Sequence, residues 1–233
     1  MQGADPLDPR TLSAPPPSDP TAILKRGVRG LKLACMPQAE REGCDDAVLT
    51  AYEQSLDQLA KLGAEIVTLA LPCRFADTML ATGRIIGSEG YQLVGHLVDN
   101  AELQIDEAVR PRIQLGRDIS AREYLAALAE RDALKQRFLA AMDGVDAVLT
   151  PTTQTAAIPT QSVDQATTPA HFTRMLNLME MCALSVPNGF TRNGLPLSLQ
   201  IACKPYDEAT ALRIGWAYQN ATDWHERHPP GLH

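Results

Sequence analysis

The sequence is short of aromatic residues, of basic charge and of cysteines spaced as metal or redox pairs. Aromatic residues make up 5% of the 233 residues, and the five cysteines include no Cys-x-x-Cys pair. An odd, scattered set of this kind is typical of free thiols in a reducing compartment, so we expect neither a disulfide framework nor a metal site. The net charge of −7 argues against a surface for nucleic acid or anionic membranes.

Long apolar runs are also missing. No stretch approaches the roughly 20 apolar residues that a membrane span needs. The first residues lack the basic patch and apolar core of a secretion signal. The apolar content of 45% is nevertheless normal for a globular core. These features predict a cytoplasmic globular protein with one large domain or one and a half ordinary ones.

The beginning of the chain differs in composition from the rest. Residues 1–20 are rich in Pro and Asp and have almost no apolar periodicity, which predicts an extended surface segment. Residues 21–230 carry helix and strand patterns, and we expect them to form the domain.

A strand, a helix and a second strand follow one another early in the domain. Residues 30–36 alternate apolar side chains as a strand does, and residues 65–71 are apolar and β-branched. Between them, Asp45 or Asp46 can cap a helix that Gly63 is placed to end with positive φ. Short joins between these elements are typical of a βαβ unit, so we predict parallel strands and an α/β fold.

The middle of the chain is mainly helical. Residues 75–100 contain four glycines, which favour either close helix packing or a break near Gly87. Ser120 and Glu123 match a capping box, and the helix that they open has Leu125 on its predicted inner face. A strand is expected over residues 145–150.

The last third begins and ends with helical patterns. An apolar stripe predicts a helix over residues 170–184. A final helix is expected over residues 208–222. Its predicted inward side chains are Ala209, Leu212, Trp216 and Ala217.

Residues 183–202 carry the most distinctive pattern in the chain. Two short apolar runs flank a stretch that is dense in Pro, Gly and Asn. Asn193-Gly194 is a strong turn signal because both residues tolerate positive φ, so we predict two strands joined by a turn.

The amino-acid sequence of this stretch, SVPNGF followed by NGLPLSLQIACKP, resembles the C-terminal segment of the amidase signature family. That family comprises the Ser-cisSer-Lys amide hydrolases and the amidotransferase A subunits. Further matches run in the same order along the chain: ADPLDPR, GVRGLKLACMP, LAKLGAEIVTLALP, SEGYQLVGHLV and DGVDAVLTPTT. The resemblance implies a mixed sheet flanked by helices, an incomplete portion of a larger three-layer fold.

The resemblance also shows what the chain does not contain. The family's lysine, its two serines and its Gly/Ser-rich oxyanion loop belong to the N-terminal half, and no such run occurs in the 233 residues. The chain begins where the match places the link out of that catalytic segment. We therefore expect a C-terminal portion with no catalytic residue of its own, hydrolytically inert by itself.

The candidate substrate-binding residues are Pro151, Thr152, Thr153 and Asn177. The first three end a predicted strand, and pockets in open α/β sheets form outside strand carboxyl ends. Turn chemistry is the alternative explanation for them. Asn177 matches the first residue of the family's Asn-x-x-Gly-x-Pro pattern, although Glu180 and Cys182 replace its Gly and Pro.

Cys182 is chemically suggestive but has a simpler explanation. It lies near Ser185 and Asn177 in the sequence, which suggests a thiol nucleophile. No base is placed by the sequence, however, and this favours a core cysteine.

Two pairs of residues with histidine also have simpler explanations. His225 and His228 have the wrong spacing for a zincin motif, so a surface tail is favoured. Glu89 and His96 are two helical turns apart, which is typical of a buried or interface polar pair.

The resemblance implies that this chain is part of an enzyme with the activity of the amidase signature family. In the whole enzyme, this portion would shape the pocket for hydrolysis of a carboxamide to an acid and ammonia or an amine, through an acyl-serine, with no metal or organic cofactor. The expected partners are a small-molecule amide, a separate N-terminal half and a homo-oligomer, since an open sheet edge and an apolar face promote association. The alternatives are a non-catalytic assembly protein and a fragment of an aminoacyl-tRNA amidotransferase A subunit.

Overall fold

A five-stranded mixed sheet forms the centre of the computed structural model, which describes residues 3–164 and 168–228. The strand order is β2-β1-β3-β5-β4, with β1 parallel to β2 and β3, and with β5 antiparallel to β3 and β4. The strands are β1 (Lys32–Cys35), β2 (Glu65–Thr68), β3 (Ala147–Pro151), β4 (Cys182–Phe190) and β5 (Pro196–Cys203). The predicted mixed sheet and the parallel βαβ pair are both confirmed.

Helices cover the sheet and extend beyond it. They are α1 (Asp46–Lys61), α2 (Met79–Val98), α3 (Val109–Gln114), α4 (Ala121–Ala141), α5 (His171–Leu178) and α6 (Glu208–Gln219). Within the described ranges, no helix is long and apolar enough to cross a bilayer.

Helix α1 follows its predicted pattern. Its buried side chains recur every three or four residues, which directs one face of the helix onto the sheet. Asp45 stands at the N-cap position but makes no side-chain capping bond. Gly63 has a φ of +97°, so it ends the helix as predicted, in a conformation that disfavours other residues.

Helix α2 runs unbroken through its four glycines, so close packing explains Gly87. A Cβ placed on Gly116 would lie 1.9 Å from the Gly87 carbonyl oxygen. The segment after α3 therefore lies directly against the middle of α2. The capping box before α4 is confirmed, because Ser120 and Glu123 bond each other's backbone amides. Leu125, however, is 62% exposed and does not belong to the inner face of α4.

The helix predicted over residues 170–184 is too long. Helix α5 ends at Leu178, Glu180 adopts a positive φ of 55°, and β4 has begun by Cys182. A left-handed residue cannot continue a right-handed helix, so the chain turns there. Glu180 occupies a position at which the amidase signature family, which this sequence resembles, commonly has glycine. Glycine adopts that φ freely.

The predicted inward face of α6 is right for Ala217, which is partly buried against the core, and wrong for Trp216. The buried residues are Ala211, Ile214, Gly215 and Tyr218, whereas Trp216 is 39% exposed. A Cβ on Gly215 would lie 2.4 Å from Leu184 Cδ2, so this glycine lets α6 approach β4. The apolar content of the other face misled the sequence interpretation.

The predicted pair of strands is confirmed as β4 and β5; they are antiparallel, and their register shifts between Pro187 and Gly189. In the turn, Gly194 takes a positive φ of 79°, while Asn193 is not among the left-handed residues of the described chain. Strand β4 is the last strand of the described sheet on this side.

Candidate functional site

A row of polar side chains crosses three strands of the sheet. Thr150, Gln200 and Ser185 lie opposite one another on β3, β5 and β4, so they share one face. The Gln200 amide donates to the Thr150 hydroxyl (2.9 Å) and to the Phe172 carbonyl at the start of α5 (3.3 Å). Thr150 and Gln200 are 2% and 4% exposed, so this part of the row is buried beneath α5.

The row becomes accessible at the carboxyl end of β3. The Thr152 amide donates to the Ser198 carbonyl (3.0 Å), which holds the backbone against β5. The Thr152 and Ser185 hydroxyls are 2.8 Å apart and share a hydrogen bond, and Ser185 is exposed. This pair presents two hydroxyl groups at the edge where α/β sheets form pockets.

The remaining predicted site residues lie in different settings. Pro151 is buried in β3, and the Thr153 hydroxyl donates to the Thr155 carbonyl (2.8 Å), which is turn chemistry. Asn177 is exposed near the C-terminal end of α5, and its carbonyl accepts the Glu180 amide (3.2 Å). At about 1.5 Å per residue, Asn177 is about 8 Å along the helix from Phe172. The structure therefore joins Thr152 to Ser185 but does not join Asn177 to them.

A buried carboxylate lies beside the polar row. Glu40 is 2% exposed and its Oε1 accepts the Arg74 guanidinium at 2.6 Å. Its Oε2 accepts the Phe75 amide at 3.3 Å and lies 3.4 Å from His171 Nε2. A buried charge needs such partners, because desolvation without them is costly. His171 and Phe172 begin α5, so this cluster fixes the helix that covers Gln200.

The surroundings of the His171 imidazole favour its neutral form. Burial lowers the pKa of His171 below its ordinary value, and the nearby Glu40 carboxylate only partly offsets that effect. The 3.4 Å separation from Glu40 lacks hydrogen-bond geometry, and Nε2 makes no hydrogen bond within the described part of the chain. Its ring packs edge-on against Phe172, with centroids 4.8 Å apart. Such a nitrogen can accept a proton or a hydrogen bond from a group placed beside it.

No pattern in the sequence pointed to this cluster. Glu40 and His171 are far apart in the chain and neither belongs to a recognisable motif. Only the packing of α5 against the segment that follows β1 brings the two side chains together.

Cys182 is a poor nucleophile. Its thiol donates to the Lys204 carbonyl (3.3 Å), and burial, assisted by the Glu208 charge, raises its pKa to about 11. The thiol therefore stays protonated at neutral pH, which agrees with a core role rather than with nucleophilic catalysis.

Glu89 and His96 lie in different surroundings. The Glu89 carboxylate accepts the Tyr124 hydroxyl of α4 (2.9 Å), and His96 is exposed. Glu89 and Tyr124 border a pocket of about 460 Å³ between α2 and the start of α4, which contains none of the predicted substrate-binding residues. In the described ranges, no group of three or more His, Cys, Asp or Glu side chains is arranged to hold a metal ion.

Most of the sequence matches a family model. A family model described as Amidase covers residues 1–212. The chain belongs to the amidase family. An amidase of Pseudomonas putida is 32% identical over an alignment of 243 positions, which covers 98% of this chain and 51% of that protein. The glutamyl-tRNA(Gln) amidotransferase A subunit of Geobacter metallireducens is 32% identical over an alignment of 257 positions, which covers 97% of this chain and 52% of that protein.

Solved structures of amidases share the fold. A bacterial aryl acylamidase of the amidase signature family has a TM-score of 0.76 at 21% identity, over 96% of this chain and 50% of that one. A peptide amidase bound to chymostatin has a TM-score of 0.78 at 20% identity, over 99% and 51%. The chain thus spans about half the length of the curated amidase relatives and solved structures that it matches.

Proposed function

We propose that this chain forms the substrate-pocket side of an amide hydrolase. The catalytic lysine and serines would come from a second half of the family fold. The hydroxyl pair of Thr152 and Ser185 carries the proposal, because it lies accessible at the carboxyl end of β3. There it would hold the carboxamide while a serine of the other half forms the acyl intermediate. Pro151 and Thr153 would shape the same wall, and Asn177 would contribute from the end of α5.

The same geometry supports inactivity of the isolated chain. A serine nucleophile needs a base within hydrogen-bond reach and donors aimed at the developing oxyanion. The Ser185 hydroxyl instead bonds another hydroxyl, that of Thr152, which is not basic. No Gly/Ser-rich run that would supply oxyanion amides occurs in the 233 residues. Ser185 would therefore bind substrate rather than attack it.

The Glu40 cluster would act as a support for the pocket. By holding the first turn of α5, it keeps the Phe172 carbonyl on Gln200 and Gln200 on Thr150. Thr152 lies two residues beyond Thr150, immediately after the end of β3. The position of the Thr152 hydroxyl would thus depend on α5.

A chimera tests the proposal directly. The half of the Pseudomonas putida amidase that this chain does not match would be joined to this chain in one polypeptide. We expect the chimera to release ammonia from simple amides, while the 233-residue chain alone does not. Thr152→Val should raise KM by about tenfold, the equivalent of one lost hydrogen bond of about 1.4 kcal/mol, and Thr152→Ser should restore it.

Matched variants make the outcome decisive. Thr50→Val removes an exposed hydroxyl that bonds the Asp46 carbonyl within α1, outside the proposed pocket wall, and should leave KM unchanged. A chimera that folds, by circular dichroism, but hydrolyses no amide would contradict the pocket role. Hydrolysis by the isolated chain that disappears in Ser185→Ala would contradict its inactivity.

A second candidate is part of an amidotransferase A subunit. It is supported by the 32% identity to the Geobacter metallireducens protein over 97% of this chain. In that case a chimera with the unmatched half of that protein should use glutamine as its amide donor. Activity with glutamine but not with simple amides would favour this candidate. Inactivity of both chimeras would favour the non-catalytic assembly role.

A further inference from the structure

One face of α2 is apolar and open to solvent. Along it, six positions are spaced alternately four and three residues apart: Met79, Gly83, Ile86, Gly90, Leu93 and Leu97. We call these six positions the α2 stripe. Its large side chains are 54%, 64%, 67% and 40% exposed, in chain order. Alternate spacings of four and three residues form the seam through which two helices pack.

The glycines of α2 fall into two groups. Gly87 and Gly95 face their own chain, where a Cβ would lie 3.2 Å from Ile119 and 3.0 Å from Tyr91. Gly83 and Gly90 face no atom of the described residues within 4 Å of a built Cβ. Glycine is less favourable than alanine inside a helix. Packing within the described chain thus explains two of the glycines but not the two in the stripe.

The charged residues of α2 turn away from the stripe. Arg84 lies 3.8 Å from Glu123, and Glu89 binds Tyr124, both on α4. The stripe itself contains no ionisable residue. Docking against it therefore requires no burial of an unpaired charge, which would be costly.

The order of large and small residues in the stripe is self-complementary. The spacing of the six positions is the same from either end of the helix. Two antiparallel copies of α2 can therefore align their stripes, with Ser88 at the centre of the pair. Gly83 then faces Leu93 of the other copy, and Gly90 faces Ile86. Met79 faces Leu97. We propose that α2 is the interface of a homodimer in which a second copy of this chain packs antiparallel along the stripe.

Electrostatics and symmetry favour the same arrangement. An antiparallel pair places the positive end of one helix dipole beside the negative end of the other. A two-fold axis makes each contact occur twice, as isologous dimers require. Each glycine opens a notch for the branched side chain opposite, so the helix axes can approach closely.

The size of the stripe sets the strength of the dimer. A helix of 20 residues is about 30 Å long and about 10 Å wide. The resulting face is smaller than the roughly 800 Å² that each partner contributes to a standard stable interface. Leu80, the residue after Met79, is also exposed and can widen it only slightly. We therefore expect a weak, transient dimer.

Sedimentation equilibrium of the full chain over a range of concentrations tests the dimer. Gly90→Leu fills the notch and should raise the dissociation constant at least tenfold. The double variant Ile86→Gly with Gly90→Ile exchanges the large and small positions, and it should restore the dissociation constant to within about threefold. Leu115→Glu changes an equally exposed leucine outside α2 and should have no effect. Circular dichroism verifies that each variant is folded.

Cross-linking tests the direction of packing. Met79 and Leu97 lie about 27 Å apart along one helix, and only antiparallel copies bring them together. A short bis-maleimide should join Met79→Cys chains to Leu97→Cys chains in a mixture, above the background of the unmodified protein. Neither variant should cross-link to itself.

Three results would overturn the proposal. The chain could remain monomeric up to hundreds of micromolar. The dimer could be unchanged in Gly90→Leu. Met79→Cys could cross-link to itself, which would indicate parallel packing. None of these results affects the chimera assay, so failure of the dimer and failure of the hydrolase proposal are distinguishable.

Discussion

The Tyr52 hydroxyl donates a hydrogen bond to the Leu149 carbonyl at 2.9 Å, deep in the core. The same hydroxyl accepts the Met36 amide at 2.6 Å. One side chain of α1 thus satisfies backbone groups of β3 and of the segment that follows β1. Both strands lead into the polar row and the Glu40 cluster, so Tyr52 sets the spacing of the strands beneath the candidate site.

Removing that hydroxyl should be costly. We expect Tyr52→Phe to lower the free energy of unfolding by about 1–3 kcal/mol, because the Met36 amide and the Leu149 carbonyl would be left unsatisfied in the core. Urea unfolding measures the change. Tyr206→Phe, at a residue that is 63% exposed, is the control and should change the stability by less than about 0.5 kcal/mol. Equal effects of the two changes would contradict this role for Tyr52.

Stability should depend on pH through His171. Burial lowers the pKa of this imidazole in the folded chain, so the unfolded chain binds the proton more readily. The contribution of His171 is fully present above its unfolded pKa of about 6.5 and is lost as the pH falls below it. We expect the wild type to lose more stability between pH 7.5 and 5.5 than His171→Gln. Identical losses would show that other groups account for the pH dependence.

Glu180 holds a left-handed backbone conformation, with a φ of 55°. Glu180→Gly should be more stable than Glu180→Ala by about 1 kcal/mol, because only glycine relieves the strain. Both variants lose the same surface ion pair with Lys135, so their comparison cancels that loss. Thermal unfolding of the two variants measures the difference. If alanine were the more stable, the strain at this turn would be refuted.

The contact between Gly87 and Gly116 leaves no room for a side chain. Gly116→Ala should lower the free energy of unfolding by at least about 2 kcal/mol, since its Cβ would overlap the Gly87 carbonyl. Gly83→Ala, measured at concentrations where the chain is monomeric, is the matched helix control. It should raise stability by up to about 1 kcal/mol. A neutral Gly116→Ala would mean that the helix and the following segment separate easily.

Local sequence patterns were sufficient to predict the elements whose structure is decided by residues close together in the chain. The unit from β1 to β2 could be predicted because α1 has a regular apolar stripe and Gly63 marks its end. The β4–β5 pair could be predicted because Gly194 allows a tight turn. In each case the deciding residues are near neighbours in the chain.

Elements whose faces depend on distant contacts were placed less well. The buried face of α6 is decided by the close contact between Gly215 and Leu184. Gly215 has no side chain, so a pattern of apolar side chains cannot reveal this face. The end of α5 could not be predicted because a glutamate, unlike a glycine, does not indicate a positive φ in the sequence.

The candidate site divides in the same way. Thr152 could be chosen from its place at a strand end, whereas its partnership with Ser185 depends on the intervening β5. The neighbouring Glu40 and His171 meet only through tertiary packing, which no local pattern records.

The register shift in β4 limits how this sheet can grow. Pro187 has no amide hydrogen, and the irregularity between Pro187 and Gly189 interrupts the pleat. A further strand arriving from another polypeptide could form a regular ladder only with the first five residues of β4, Cys182 to Val186. The accessible hydroxyl of Ser185 lies within that length. A strand added there would therefore place residues of the other polypeptide next to Ser185, at the entrance of the proposed pocket.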